Sequence, residues 1–145
     1  MNESKQYCTF YVADLFFGIE VCLVQEVIRY QEMTRVPLAC REIGGLINLR
    51  GQIVTALDLR NRLGLPAADA NQPPMNVVIR GDDGAIALLV DEIGDVLEVG
   101  SDSYEPIPDN VPQVQRELIL GVHKLEGRLL LILDTERVLQ VHLSE

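Results

Sequence analysis

NLRGQIVTALDLR, Asn48 to Arg60, sets two strand-like runs around one Arg-Gly corner. Gly51 supplies the positive φ that a two-residue hairpin turn needs. GLINLR reads as the incoming strand and QIVTALDL as the return. Asp58 can then N-cap a short helix, LRNRL, which stops at Gly64 with Pro66 beyond it. KLEGRLLLILDTE, Lys124 to Glu136, nearly repeats the stretch, with Glu126 where Arg50 stood.

The repeat can be counted. Gly45 aligned with Gly121 sets an offset of 121 − 45 = 76, and the same offset pairs Leu49 with Leu125, Gly51 with Gly127, Leu57 with Leu133, Asp58 with Asp134 and Leu63 with Leu139. Upstream, FFGIEVCLVQEV loosely matches AIALLVDEIGDV. The chain therefore reads as two copies of one small β module, about Tyr7–Leu63 and Met75–Leu139, joined by a linker at Pro66–Pro74. Each copy holds about five short strands. A module of about 60 residues is marginal alone, so two packed together make physical sense.

The remaining segments fit this plan. QYCTFYVA and FFGIEV are strands around a turn at Asp14-Leu15. In CLVQEVIRY, Leu23, Val24, Val27 and Ile28 fall on one face of a short helix, though a strand could also hold the segment. MNVVIR and AIALLVDEI pair around Gly81–Gly84, and DVLEV follows. Ser101 to Gln113 is a long Pro-containing surface loop. Asp134 can cap a final helix, TERVLQVHL.

Composition narrows the function. The 145 residues are 48% hydrophobic with a net charge of −10, enough for a real core and the wrong sign for a phosphate backbone. Arg50, Arg60 and Arg62 cluster, but three arginines do not make a nucleic-acid surface. No apolar run reaches the ~20 residues of a membrane span, and the polar start MNESKQY lacks a signal-peptide core, so membrane insertion is not expected and a cytoplasmic location is. Cys8, Cys22 and Cys40 form neither a disulfide framework nor a CxxC pair. His123 and His142 show no metal-ligand spacing, and neither metal nor cofactor is expected. Cys22 or Cys40 with His123 is the one conceivable nucleophile and base. Asp82-Asp83 and Asp91-Glu92 are the paired carboxylates. Nucleotide-binding glycine loops and serine-nucleophile motifs are missing, which favours a binding module over an enzyme. By itself Arg50 is either a solvated turn residue or a planar fork of donors suited to a carboxylate.

GLINLRGQIVTALDLRNRLGL resembles the signature of the CheW family, in which N-L-R-G is followed by an apolar strand and D-L-R. FFGIEVCLVQEV, LLVDEIGDVLEV and GVHKLEGRLLLILDTERVL resemble that family's other segments, in order, from about Gln6 to Leu143. Ala87 stands where a glycine is frequent in the family. The resemblance implies one domain over residues 1–145, all-β: two interwoven five-stranded SH3-like barrels with a hydrophobic groove between them and short helices, one of them C-terminal. It implies a non-enzymatic cytoplasmic adaptor, recruited to receptor arrays, that couples the receptor tip to the histidine kinase CheA and meets other CheW-like proteins in rings. It implies that Arg50 pairs with Glu26 beside the groove. Val24 and Val27 would line one wall, Ile93 and Val96 the other, and Gly45 would admit a partner backbone. Val111, in the Glu105–Pro112 loop, is a candidate kinase contact. Two readings stay beside this one: a CheW-like subunit, or an adaptor for twitching or gliding motility, that binds the kinase but not receptors; and a small cysteine- or carboxylate-dependent hydrolase.

Overall fold

Nearly every apolar run of the chain is a strand in the computed structural model, which describes residues 4–37, 42–66, 72–81 and 84–140. The strands are β1 (Ser4–Val12), β2 (Leu15–Glu20), β3 (Val24–Ile28), β4 (Ile43–Leu49), β5 (Gln52–Asp58), β6 (Met75–Gly81), β7 (Gly84–Val90), β8 (Glu92–Gly100), β9 (Tyr104–Glu105), β10 (Ile119–Leu125) and β11 (Arg128–Leu133). Three one-turn helices interrupt them: α1 (Leu59–Arg62), α2 (Gln113–Arg116) and α3 (Thr135–Val138).

Both repeat-related helices start on the aspartate expected of them. Asp58 accepts from the Asn61 amide at 3.3 Å and Asp134 from the Arg137 amide at 3.2 Å. Each aspartate thereby satisfies one of the orphan amides at its helix start. Gly64, just past α1, takes a left-handed φ of 73°, as a helix stop does.

The strands form two sheets, in the orders β8-β1-β2-β11-β10-β9 and β3-β6-β7-β5-β4. The repeats exchange parts. The β1–β2 hairpin of the first copy joins β8, β10 and β11 of the second, while β6–β7 of the second joins β3, β4 and β5 of the first. Parallel ladders weld the exchange: Leu131 and Ile132 opposite Phe17 and Gly18, and Thr55 to Asp58 opposite Ile86 to Leu89. The chain is thus two interwoven SH3-like barrels, and neither copy of the repeat supplies a whole sheet. The two-residue β9 adds a sixth strand to one of them.

Strand alternation explains why both faces of so many strands are apolar. In β7, Ala87 and Leu89 enter the core of their own sheet, with Ile47, Val54, Ala56 and Val78. Leu88 and Val90 point the other way, into a larger core shared by both sheets with Phe10, Phe17, Leu57, Val77, Val122 and Leu131. The other sheet has its own cluster of Tyr7, Phe16, Val99, Leu130 and Ile132. A strand with a core on each side reads as a continuous apolar run rather than an alternating one.

Four sequence expectations change. CLVQEVIRY is not a helix: Val21–Leu23 make one 3-10 turn and Val24–Ile28 are β3, an edge strand against β6 with a register shift between Val24 and Glu26. That shift turns Val24 and Ile28 to opposite faces, Val24 onto the shared core and Ile28 onto the core of its own sheet, so the strand lacks a simple alternation, and β-branched residues suit a strand buried in part on both faces. AIALLVDEI is broken at Asp91, where β7 ends before β8 begins. The Ser101–Gln113 loop contains β9, and Val111 within it packs against the shared core. The final helix ends at Val138, capped by Leu139, shorter than the TERVLQVHL run, while most of the linker, the Asp82-Asp83 turn, Cys40 and His142 lie outside the described residues.

Gly45 and Gly121 both sit at β-bulges, between Ile43 and Gly45 in β4 and between Ile119 and Gly121 in β10. A Cβ on Gly45 would lie 2.8 Å from the Thr34 carbonyl oxygen, and one on Gly121 would overlap the Tyr104 ring. In each barrel the missing side chain admits a segment of the same chain. Thr34 bridges Leu46 with two 2.8 Å hydrogen bonds, and Glu105 pairs with Val122 at the matching repeat position. The close approach at Gly45 is therefore made by the protein's own backbone.

Candidate interaction surface

The Arg50-Gly51 corner joins β4 to β5, with Leu49 paired to Gln52. Both corner residues are left-handed, φ 52° and 88°, the pattern of a type I′ turn. The geometry matches strand twist but is unusual for arginine, costing roughly 1–2 kcal/mol relative to glycine. Asn48 steadies it: its Oδ1 accepts from the Gly51 amide at 2.9 Å.

The turn aims the guanidinium at β3. Arg50 Nη1 donates to Glu26 Oε2 at 2.9 Å and Nη2 to Oε1 at 2.6 Å, a two-pronged pair. β3 and β4 are the opposite ends of their sheet, so the pair closes the side of the barrel. The Arg50 side chain remains 77% exposed while that of Glu26 is 17% exposed. An ion pair this open contributes ~0–1 kcal/mol, so its value lies in positioning charge. Gln25, Glu26, Leu49, Arg50, Gln52 and Val54 line a shallow depression of about 260 Å³ beside it.

The other barrel lacks this feature. At its matching corner only Gly127 is left-handed, φ 82°, and Glu126 is not. Ile93 pairs with Phe10 as Val24 does with Ile79, which makes Asp95 the counterpart of Glu26. Two acids, Asp95 and Glu126, cannot form the bridge.

The other expected site residues divide by exposure. Val24 and Ile93 pack against the shared core. Val27 is 38% and Val96 56% exposed, on β3 and β8, edge strands of different sheets. Ile53, 66% exposed just past the corner, was not singled out in the sequence. Its only signal there is proximity to Arg50.

The three clustered arginines point to separate targets. Arg60 of D-L-R holds Asp91 with two hydrogen bonds, Nε to Oδ1 at 2.9 Å and Nη2 to Oδ2, and reaches the Pro66 carbonyl at 2.9 Å. Asp91 also accepts from the Ala13 amide at 2.7 Å. Asp91 is thus a structural anchor, not half of a catalytic carboxylate pair. Arg62 donates to the Arg137, Val138 and Gln140 carbonyls at the end of α3. No basic stripe results.

His123 is buried between Tyr7 and Tyr104. Ser103 Oγ donates its one proton to the Gly100 carbonyl at 3.0 Å, so His123 Nδ1, 2.8 Å away, is the donor to Ser103. Such a histidine cannot activate that serine through Nδ1. Cys22, exposed, lies 3.5 Å from Glu20 instead of a histidine. Among the described residues no group of three or more His, Cys, Asp or Glu side chains could hold a metal ion, and no helix is long and apolar enough to cross a membrane.

His123 leaves a pH signature. Burial pushes its imidazole below the ordinary value, with Asp102 opposing and Lys5 adding to the shift. Below about pH 6.5 the unfolded chain takes a proton that the fold resists, so this contribution is full above that pH and is lost as pH falls toward the lowered folded value. The urea midpoint should drop between about pH 7.5 and about pH 5.5, and His123→Gln should flatten that drop. An unchanged slope in the variant counts against the assignment.

Two interwoven SH3-like barrels with a two-pronged ion pair on one exposed corner give the fold and surface of an interaction module. The chain belongs to the CheW family: it matches the CheW-like domain over residues 6–142. It is 34% identical to the chemotaxis protein CheW of Bacillus subtilis, over 100% of this chain and 93% of that one. It is 29% identical to the chemotaxis protein CheW of Rhizobium meliloti, over 94% and 88%. The crystal structure of the scaffolding protein TtCheW from Thermoanaerobacter tengcongensis superposes with a TM-score of 0.85 at 24% identity, covering 96% of this chain and 94% of that one. The chain is accordingly a chemotaxis-type adaptor and not an enzyme.

Proposed function

We propose that the chain couples chemoreceptors to the histidine kinase CheA within cytoplasmic arrays, and that the Arg50–Glu26 corner belongs to the receptor-binding surface. One observation carries the reading: a strained, solvent-exposed arginine held on a partly sunken carboxylate contributes little to stability and is present in one barrel only. Val27, exposed on the same strand as Glu26, supplies the apolar contact of a helix-in-groove mode, and Val96 supplies the opposite wall. Val24, Ile93 and Gly45 shape this surface from beneath. Val111, packed inward, supports the loop that faces the kinase. CheW-like domains of the kinase and of other adaptors dock on the barrels to build rings.

The test is co-sedimentation of the purified protein with receptor-containing membranes and CheA, with kinase phosphorylation read in parallel. All three should pellet together, and phosphorylation should rise only in the full mixture. Binding to CheA without receptors and without activation marks a specialised array or motility subunit and overturns the receptor assignment. Binding to neither overturns the coupling function.

A further inference from the structure

We propose that Asn48 is a positioning residue for the interaction surface: its side chain fixes the turn that holds Arg50 against Glu26. The proposal rests on the reading of Arg50 as part of the receptor surface. Asn48 Oδ1 accepts from the Gly51 amide at 2.9 Å, across the corner. That bond ties the residue before Leu49 to the glycine after Arg50, so Arg50 is fastened from both sides. Arg50 is left-handed, φ 52°, and among the described residues only Ala13 shares that state without being glycine. A long side chain stays there only if something over-determines it. Asn and Asp serve this purpose because their side-chain oxygen reaches an amide a few residues on.

The second repeat acts as an internal control. Lys124 occupies the position of Asn48 and offers no acceptor. There Glu126 is not left-handed and only Gly127 is. The same two-residue loop between the same strands therefore adopts another turn when the acceptor is missing. Rotating Arg50 out of the left-handed region redirects its Cβ, and the two prongs at 2.9 and 2.6 Å cannot both survive. The N of N-L-R-G thus sets the conformation, the R supplies the charge and the G permits the corner.

The experiment compares the full chain with Asn48→Ala and Asn48→Asp, the second keeping an acceptor. NMR reads the strong intraresidue amide-to-Hα contact of a left-handed Arg50 and the NOE from its Hη protons to the Glu26 side chain. Co-sedimentation reads receptor binding. Asn48→Ala should weaken both NMR signals and lower receptor affinity about tenfold, the loss of one oriented charged contact. Asn48→Asp should restore both. If Asn48→Ala does not fold, Asn48→Gln, whose longer side chain overshoots the Gly51 amide, is read in its place. Unchanged Arg50 signals in the acceptor-lacking variant overturn the proposal, as does failure of Asn48→Asp to restore them. Weakened signals with full receptor binding support the positioning role and overturn the receptor reading, so the two fail separately.

Discussion

Reversing the corner charge with Arg50→Glu should leave the fold intact and cut receptor coupling at least about tenfold. The stability cost is small because the lost pair is 77% exposed on the arginine side and is worth at most ~1 kcal/mol. For a chain of this size that is about 2–4 °C in melting temperature. Arg50→Gly separates charge from strain. Glycine takes the left-handed corner without penalty, so this variant should melt at the same temperature or slightly higher yet lose coupling as well. The swap of Glu26→Arg with Arg50→Glu rebuilds the ion pair but inverts what a receptor meets, and it should not recover binding. A collapse in melting temperature, or coupling that survives both single variants, would remove the corner from the functional surface.

Arg60→Ala should behave in the opposite way, with a large loss of stability. Its partner Asp91 is the point where the β1–β2 turn, the start of α1 and the β7–β8 junction meet: it accepts from Arg60 and from the Ala13 amide, while its own amide donates to the Tyr11 carbonyl at 2.9 Å. Both side chains are about four-fifths covered, at 18% and 21% exposure. Removing one leaves the other partly desolvated without its counter-charge, at a cost of about 2–3 kcal/mol and a drop of about 5–10 °C. A double-mutant cycle with Asp91→Ala should return a coupling energy above about 1 kcal/mol. Additive single effects would show the clamp to be incidental.

The clamp also sets an acid limb. Burial pushes the Asp91 carboxyl up, but hydrogen bonds from Arg60 and from the Ala13 amide, with the Arg60 charge, outweigh it and hold the group below the ordinary carboxylate value. Its contribution is therefore complete above about pH 4 and is lost as the pH falls through the lowered value. Asp91→Asn should flatten the stability profile there and leave the region above about pH 5 parallel to the wild type. That window is separate from the one set by His123.

Local features were legible from the chain. The Gly turns, the aspartate caps at Asp58 and Asp134 and the offset of 76 between Gly45 and Gly121 depend on residues a few positions apart, where backbone geometry and side-chain chemistry act directly. The family signature around Asn48–Arg60 added the interwoven barrels and the Arg50–Glu26 pair. The residue pattern alone could not have supplied the exchange. An apolar run such as that of β7 says that both faces are buried, not whose residues cover them, and the shared core could close within a repeat or across two. The same holds for β3: a bulge after Val24 breaks the alternation, sending Val24 and Ile28 to cores on opposite faces, and only pairing with β6 distinguishes that strand from a helical turn. Asp91 stood out only as half of a carboxylate pair, because the arginine it holds lies 31 residues away. Asn48 looked like an ordinary strand residue, because its role depends on a left-handed arginine that no spacing rule anticipates. Sequence distance hides such contacts, and folding creates them by bringing together groups whose attraction extends only a few ångströms.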